Sequence, residues 1–169
     1  MRVGWGFDAH RFAATGRVVL GGVTVDESVG VAATSDGDVV AHALIDAILG
    51  ASALGDIGER YPSDHPRWQG ADSMSLLADT VGAVQREGFR VSAVDVTVVA
   101  ERIRVAPHRD RIRENLAGAL DLGIDRVSVK ATTTDGMGFA GREEGLGATA
   151  VAVLEELPGR PSLPGEKPV

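Results

Sequence analysis

The sequence predicts an α/β fold, a two-layer sandwich in which helices cover one face of a β-sheet. Segments with the apolar pattern of strands alternate along the chain with segments of helical periodicity, as such a sandwich requires. The chain has 169 residues, enough for one domain, and a domain of this size buries roughly 68–70% of its unfolded surface. Because 44% of the residues are hydrophobic and only 4% are aromatic, we expect a core of aliphatic side chains.

Charge and composition narrow the classes of function. The net charge of −7 argues against broad nucleic-acid binding, so an anionic substrate would need positive charge supplied locally. The chain contains no cysteine, which excludes disulfides and a thiolate nucleophile. No apolar run reaches the roughly 18 residues of a membrane span, and the first residues lead directly into strand-like sequence. We therefore expect a cytoplasmic protein without a membrane contact.

The first part of the chain predicts a strand and a hairpin. Residues 2–8 have the pattern of a strand that is interrupted by two glycines. Residues 17–20 and 23–25 flank Gly21-Gly22, and two glycines between short apolar runs are a strong hairpin signal.

A polar loop over residues 31–37 then leads into the first predicted helix, from about 38 to 53. Its apolar residues recur at the spacing of a buried helix face. On the other face Asp38, His42 and Asp46 recur every four residues, so their side chains share one side of the helix.

The middle of the chain predicts a long polar loop, two helices and a central strand. The loop covers residues 55–66, and loops of this length in compact domains are usually functional. A second helix is expected over 71–88 and a third from Pro107 to about residue 120. Between them, the nearly continuous apolar run 94–100 predicts a strand inside the sheet.

The last part predicts two strands separated by a loop. Residues 126–132 form one strand and lead into a glycine-rich loop over 135–142. Periodicity alone does not decide between helix and strand for 145–156, but the need to complete a sheet favours a strand. We thus expect a ferredoxin-like βαβ arrangement in a single catalytic domain over 1–156, and a disordered proline-rich tail over 157–169.

Asp8 and His10 point to a metal site. Alternate residues of a strand project to the same face, so these two side chains lie together. With His42 from the first helix they would form a set of one carboxylate and two imidazoles, which suits Zn²⁺. Three protein ligands leave a coordination position open, as in catalytic sites.

Ordinary roles for the same residues remain open at this point. His10 could cap a turn, and His42 could hydrogen-bond along its helix to Asp38 or Asp46. The two interpretations are partly compatible, because a metal-bound imidazole usually donates its other N–H to an orienting group. Asp46 and Asp38 are the candidates for that group.

Thr132-Thr133-Thr134-Asp135 stands where a strand ends before a glycine-rich turn. Hydroxyl and free backbone N–H groups at such a place suit phosphate oxygens. Asp135 could hold a hard cation such as Mg²⁺ against those phosphates. The ordinary interpretation is a threonine-rich strand end followed by a plain turn.

A series of ordered motifs carries a resemblance to a known family. The motifs are Gly6-Phe7-Asp8-x-His10-x-Phe12, Ser35-Asp36-Gly37-Asp38-x-x-x-His42-Ala43-Leu44, Asp46-Ala47, Ala53-Leu54-Gly55-Asp56-Ile57-Gly58, Gly70-Ala71-Asp72-Ser73, Ala131-Thr132-Thr133-Thr134 and Gly138-Phe139-x-Gly141-Arg142-x-Glu144-Gly145. Together they resemble the 2-C-methyl-D-erythritol 2,4-cyclodiphosphate synthases of the non-mevalonate isoprenoid pathway, from Arg2 to about Leu154.

The resemblance implies a homotrimer whose sheets face the threefold axis and whose active sites lie between subunits. Each site would hold one Zn²⁺ on Asp8, His10 and His42, and Mg²⁺ or Mn²⁺ on Asp135. The substrate would be 4-diphosphocytidyl-2-C-methyl-D-erythritol 2-phosphate. The products would be the cyclic diphosphate and CMP, formed by intramolecular phosphoryl transfer.

The resemblance also implies roles for the other site residues. Asp56 to Gly58 would hold the methylerythritol hydroxyls, Ala100 to Ala106 with Ala131 to Thr133 would hold cytidine, and Thr133 would polarise a phosphate. The full substrate-binding set is Asp8, Ala9, His10, Thr34, Ser35, Asp56, Ile57, Gly58, Tyr61, Pro62, Ser63, Asp64, His65, Ala100, Ile103, Arg104, Val105, Ala106, Ala131, Thr132, Thr133, Thr134, Phe139 and Arg142. Phe139, Arg142 and Glu144 would line a cavity on the trimer axis that is associated with isoprenoid diphosphates.

The chain departs from the family pattern at several positions. Thr34 stands where the family usually has a histidine, so a neutral hydroxyl would face the transferred phosphate. Asp135 replaces a common glutamate and shortens its reach by one methylene, and Arg104 replaces the usual lysine. Thr34, Thr133 and Asp135 are the expected catalytic residues.

Two other functions are compatible with such a site. A zinc hydrolase would use the open coordination position to activate water. An isoprenoid-diphosphate-binding trimer with a purely structural metal would have no catalytic activity.

Overall fold

The computed structural model describes residues 1–158. The strands are β1 Arg2–Ala13, β2 Val18–Leu20, β3 Val23–Asp26, β4 Gly30–Val31, β5 Phe89–Val99, β6 Val127–Thr132 and β7 Gly145–Glu156. The helices are α1 Val39–Ser52, α2 Ile57–Arg60, α3 Ser73–Arg86, α4 Arg109–Leu120 and α5 Gly138–Gly141. We predict disorder for the tail over 157–169, and residues 159–169 of that tail lie outside the described part of the chain.

A mixed five-stranded sheet has the order β4-β1-β7-β5-β6, and β2 and β3 form a separate hairpin. Only β5 and β6 are parallel; β7 runs antiparallel to both β1 and β5, which it separates. The ferredoxin-like expectation holds only for the split unit from β1 to β5. The chain order is β-α-β-α-β-β rather than β-α-β-β-α-β, because α4 connects two adjacent parallel strands.

Several elements differ from the predicted boundaries. The first strand does not stop at residue 8 but continues to Ala13, because its second half pairs with the start of β7 and with β4. The third helix begins at Arg109 after a single 3-10 turn, Ala106–His108. The predicted loops 55–66 and 135–142 contain the short helices α2 and α5. The strand over 145–156 is confirmed.

Two glycines in β1 allow α1 to pack directly on the sheet. A Cβ atom on Gly4 would lie 1.9 Å from the carbonyl oxygen of Ala47, and one on Gly6 would lie 2.1 Å from that of Ala43. Both distances are shorter than any real contact, so only glycine permits this helix position. The close packing brings His42 of α1 within reach of β1.

The opposite face of the sheet is exposed, and it is apolar along β1. Val3, Trp5 and Phe7 of β1 are 63%, 64% and 44% exposed on that face, although they alternate with the buried glycines. Large exposed apolar residues clustered on one face mark an interaction surface. No helix among residues 1–158 is long and apolar enough to cross a membrane.

Asp38 anchors the start of α1 and is fully buried. Its Oδ1 accepts the backbone N–H groups of Val40 and Ala41, at 3.0 and 3.1 Å, and its Oδ2 accepts that of Gly22 at 2.8 Å. The carboxylate therefore caps the helix and ties the β2–β3 hairpin to it.

Substitution of Asp38 by alanine is expected to lower the free energy of unfolding by about 3 kcal/mol, because a helix cap is lost and buried N–H groups are left unpaired. Urea denaturation at fixed protein and zinc concentrations measures the change. The matched control is Asp72→Ala at the more exposed cap of α3, for which the expected loss is about 1 kcal/mol. Equal losses in the two variants would contradict the anchoring role.

Candidate active site

The structure brings together Asp8, His10 and His42. Asp8 and His10 project from the same face of β1, and His42 meets them from the first turn of α1. Oδ2 of Asp8 lies 2.9 Å from Nδ1 of His42 and 3.1 Å from Nε2 of His10. The two imidazole nitrogens are 3.3 Å apart. The three donor atoms thus form a nearly equilateral triangle.

This triangle fits a tetrahedral metal site. With metal–ligand distances of about 2.0–2.1 Å, the donor atoms of a tetrahedral zinc site are roughly 3.3 Å apart. The measured separations of 2.9 to 3.3 Å are close to that value. One carboxylate and two imidazoles are also the donor set of known catalytic zinc sites. The residues therefore fit a borderline-soft divalent ion.

The electrostatics of the site keep Asp8 ionised. Burial would raise the pKa of Asp8, but hydrogen bonds from His10 and His42 together with their positive charge hold it well below its usual range. Burial would lower the pKa of His42, yet its hydrogen bond to Asp8 and that negative charge raise it above its ordinary value.

The orienting contacts of His42 differ from the predicted ones. Its Nε2 lies 2.9 Å from the hydroxyl of Ser73 and 3.1 Å from that of Ser35. Asp46 instead accepts the backbone N–H of Ile57 at 2.8 Å. Asp38 caps the helix, so neither predicted carboxylate holds the imidazole. The hydrogen bonds along the helix that an ordinary role for His42 would require are likewise not formed.

A cavity of about 390 Å³ opens beside the metal-binding group. Its lining contains Asp8, His10, Ala33, Thr34, Ser35, His42, Ile57, Gly58, Tyr61, Pro62, Ser63, Asp64, Trp68 and Leu76. Most of the substrate-binding residues that we predict among residues 1–65 therefore line this cavity. Three are used differently: Ala9 is exposed on β1, Asp56 caps α2, and His65 caps the turn Pro66–Trp68.

A second cavity of about 290 Å³ gathers the residues predicted to hold cytidine. Its lining contains Ala100, Glu101, Ile103, Arg104, Val105, Ala106, Arg109, Ala131, Thr132 and Thr133. No residue lines both cavities. Asp135 lies beyond the end of β6 in a left-handed conformation, with φ of 52°, and is not part of the metal-binding group.

Glu101 makes contacts in this region that the sequence did not predict. Its carboxylate accepts the backbone N–H of Thr134 at 2.8 Å, the Thr134 hydroxyl at 3.0 Å and the N–H of Gly136 at 3.3 Å. The N–H of Thr134 is the main cause of the lowered pKa of Glu101. These contacts connect the end of β5 to the loop that carries Asp135. In the sequence, the only sign of these contacts is an acidic residue at the end of a strand.

Phe139, Arg142 and Glu144 lie together around α5. Phe139 is 38% exposed, and Nε of Arg142 donates to Oε1 of Glu144 at 2.9 Å. Arg142 and Glu144 thus form the surface ion pair that their closeness in sequence allows.

The YgbB family model matches residues 1–155 of this chain. The 2-C-methyl-D-erythritol 2,4-cyclodiphosphate synthase of Azotobacter vinelandii is 51% identical over 157 residues, which are 93% of this chain and all of that protein. The synthase of Thioalkalivibrio sulfidiphilus is also 51% identical, over 93% of this chain and 98% of its own.

Solved structures show the same fold. The bifunctional IspDF protein of Campylobacter jejuni superposes with a TM-score of 0.89 at 40% identity; 92% of this chain matches 42% of that longer protein. A 2C-methyl-D-erythritol-2,4-cyclodiphosphate synthase in its CDP-bound form has a TM-score of 0.84 at 32% identity, over 91% of this chain and all of the other.

Proposed function

The chain belongs to the YgbB family, and on that premise we propose that it converts 4-diphosphocytidyl-2-C-methyl-D-erythritol 2-phosphate to the 2,4-cyclodiphosphate and CMP. It is an enzyme with the activity of a 2-C-methyl-D-erythritol 2,4-cyclodiphosphate synthase in the non-mevalonate isoprenoid pathway. In class it is a cyclising, CMP-releasing phosphorus–oxygen lyase. The observation that carries the proposal is the convergence of Asp8, His10 and His42 on one point beside a cavity.

The reaction is a phosphoryl transfer within one molecule. An oxygen of the 2-phosphate attacks the β-phosphorus, the bond from that phosphorus to the α-phosphate oxygen breaks, and CMP leaves with the electron pair. Such a transfer needs little covalent help from the protein, but its two reacting ends must be held together and water kept out. Ile57 and Gly58, which line the metal-binding cavity, would hold the methylerythritol hydroxyls, and Thr133 would polarise a phosphate.

Bound divalent ions would supply the positive charge that an acidic chain lacks. Asp8, His10 and His42 would hold one Zn²⁺ per site, and Asp135 would hold Mg²⁺ or Mn²⁺. When bound, these ions neutralise phosphate charge and orient the diphosphate for in-line attack. The bidentate guanidinium of Arg104 in the second cavity suits the same anion.

We propose a homotrimer whose active sites are completed between subunits, with residues 1–156 of each chain as one catalytic domain. Two observations support it. No residue lines both the metal-binding cavity and the second cavity with Arg104, as expected if the two ends of a substrate are held by different chains. The exposed apolar residues Val3, Trp5 and Phe7 on the open sheet face suit burial against the threefold axis. Phe139, Arg142 and Glu144 would then line a central cavity for an isoprenoid diphosphate.

Substitution of Thr34 by histidine is expected to raise turnover by roughly tenfold, because a hydrogen-bond donor that can carry positive charge would replace the neutral hydroxyl facing the transferred phosphate. Thr34 lines the metal-binding cavity, and its backbone is fixed by the N–H of Gly70 at 2.8 Å. The rate of CMP formation measures the effect. Thr34→Asn, a neutral control, should leave the rate nearly unchanged. Equal or lower turnover in folded Thr34→His would exclude this role for position 34.

Chromatography of the nucleotide product tests the proposed function. The protein is stripped of metal with a chelator, reconstituted with Zn²⁺ and Mg²⁺, and incubated with the cytidine substrate. We expect one CMP per substrate consumed, and no conversion before reconstitution. Release of CDP, or consumption without added metal, would contradict the proposal.

A further inference from the structure

One sequence motif has no role in the function as described so far. Ala71-Asp72-Ser73 lies about 30 residues beyond His42 and ends at the first residue of α3. Asp72 caps that helix by accepting the N–H of Met74. Ser73 is fully buried, which is unusual for a polar residue at the start of a helix.

The side chain of Ser73 lies between a carboxylate and an imidazole. Its hydroxyl makes a short hydrogen bond to Oδ1 of Asp36, and its Oγ lies 2.9 Å from Nε2 of His42. Asp36 is fixed to the same segment by two more bonds. Its Oδ2 accepts the N–H of Ser73 at 3.1 Å, and its own N–H donates to the carbonyl of Ala71 at 3.1 Å.

The direction of each proton in this chain of hydrogen bonds follows from the chemistry of the groups. An ionised carboxylate can only accept, so the single hydroxyl proton of Ser73 is directed to Asp36. Ser73 can then only accept from His42, which places the imidazole proton on Nε2. Nδ1 is the atom that faces Asp8 and His10, so when a metal ion displaces the proton between Nδ1 and Asp8, the lone pair of the ring is on Nδ1.

We infer that Asp36 and Ser73 form a positioning relay that holds His42 as the Nε2–H tautomer, with Nδ1 presented to a divalent metal ion. The inference deepens the proposed metal site and rests on it. An acceptor on the remote nitrogen fixes the ring and increases the basicity of the metal-binding nitrogen, and loss of such a partner typically weakens metal binding by 10- to 100-fold. The relay gives a role to the contact between Asp36 and Ser73, which are far apart in sequence.

The wild-type protein provides the first test. Long-range ¹H–¹⁵N correlation spectra of the zinc-loaded full chain, labelled in histidine, report which ring nitrogen carries the proton. Substitution of His65 and His108 by glutamine simplifies the spectrum, because neither contributes to the metal-binding group. We expect a proton on Nε2 of His42. A proton on Nδ1 would overturn the relay without any variant.

Zinc affinity provides the second test. Competition with a chromophoric chelator should give a zinc dissociation constant 10- to 100-fold higher for Ser73→Ala than for wild type. Asp36→Asn, which removes the charge of the relay, should also weaken binding. The matched control is Ser75→Ala: Ser75 is in the same helical turn, but its hydroxyl donates to Asp72 at 2.6 Å, so we expect an affinity within twofold of wild type.

Two outcomes of the affinity test would overturn the inference. One is wild-type zinc affinity in both relay variants. The other is a Ser73→Ala protein that loses stability without metal but binds zinc as the Ser75 control does, since this would show a purely structural role. None of these tests depends on measuring turnover. A protein that keeps the relay but does not act on the cytidine substrate would contradict the proposed function alone.

Discussion

Substitution of Asp8 by alanine is expected to reduce CMP formation by at least 10³-fold and to abolish stoichiometric zinc binding. Asp8 is the only anion of the metal-binding group, and its Oδ2 lies about equally far from both imidazole nitrogens. A bound metal ion stabilises the charge that develops in the transition state by several kcal/mol. A 10³-fold loss of rate corresponds to about 4 kcal/mol. Steady-state turnover and metal analysis of the purified protein measure the two effects.

Asp8→Asn separates the charge of this side chain from its shape. The amide has almost the same size, so we expect it to preserve the fold while it loses zinc and activity as alanine does. Thermal unfolding of both variants verifies that the chain is folded. If either variant retained turnover near the wild-type level, the metal would be structural and would have no part in catalysis.

Substitution of Gly6 by alanine is expected to cost at least 3 kcal/mol of stability and to weaken zinc binding strongly. The new Cβ would lie 2.1 Å from the Ala43 carbonyl oxygen and 2.8 Å from the Ala47 nitrogen, both backbone atoms of α1. The helix must therefore move away from β1, an overpacking that costs about 1–3 kcal/mol or more. Because His42 is next to Ala43, this movement also separates Nδ1 from the ligands on β1.

Gly50→Ala is the matched control in α1, since a Cβ at that position meets nothing within 4 Å. There we expect unchanged zinc affinity and a gain of about 1 kcal/mol, because alanine favours the helix. Denaturation curves at several zinc concentrations measure stability and affinity together. A Gly6→Ala protein with the stability and zinc affinity of Gly50→Ala would show that close packing does not position His42.

The sequence predicts the members of the metal-binding group because the face on which each side chain lies is set by local periodicity. Alternation along β1 places Asp8 and His10 on one face, and an amphipathic helix supplies His42 from its polar side. The aliphatic core and the two-layer arrangement follow from the same periodicities. The strand order does not, because the insertion of β7 between β1 and β5 depends on long-range pairing.

The orienting contacts of His42 show where sequence periodicity fails. Asp46 shares a helix face with His42, as the spacing of four residues predicts, but the N–H of Ile57 uses its carboxylate. Nε2 of His42 points instead toward the start of α3, where Ser73 lies 31 residues away in sequence. Similarly, Glu101 reaches Thr134 only because β5 and β6 are adjacent and parallel. Contacts set by tertiary packing leave little trace in local spacing.

The most direct test of the account is whether water enters the product. The reconstituted protein is incubated with 4-diphosphocytidyl-2-C-methyl-D-erythritol 2-phosphate in water enriched in ¹⁸O, and the products are followed by ³¹P NMR. We predict a cyclic diphosphate with two coupled resonances and unlabelled CMP, because the attacking oxygen belongs to the 2-phosphate. A linear phosphate or diphosphate carrying ¹⁸O, or labelled CMP, would contradict the account and identify a zinc hydrolase.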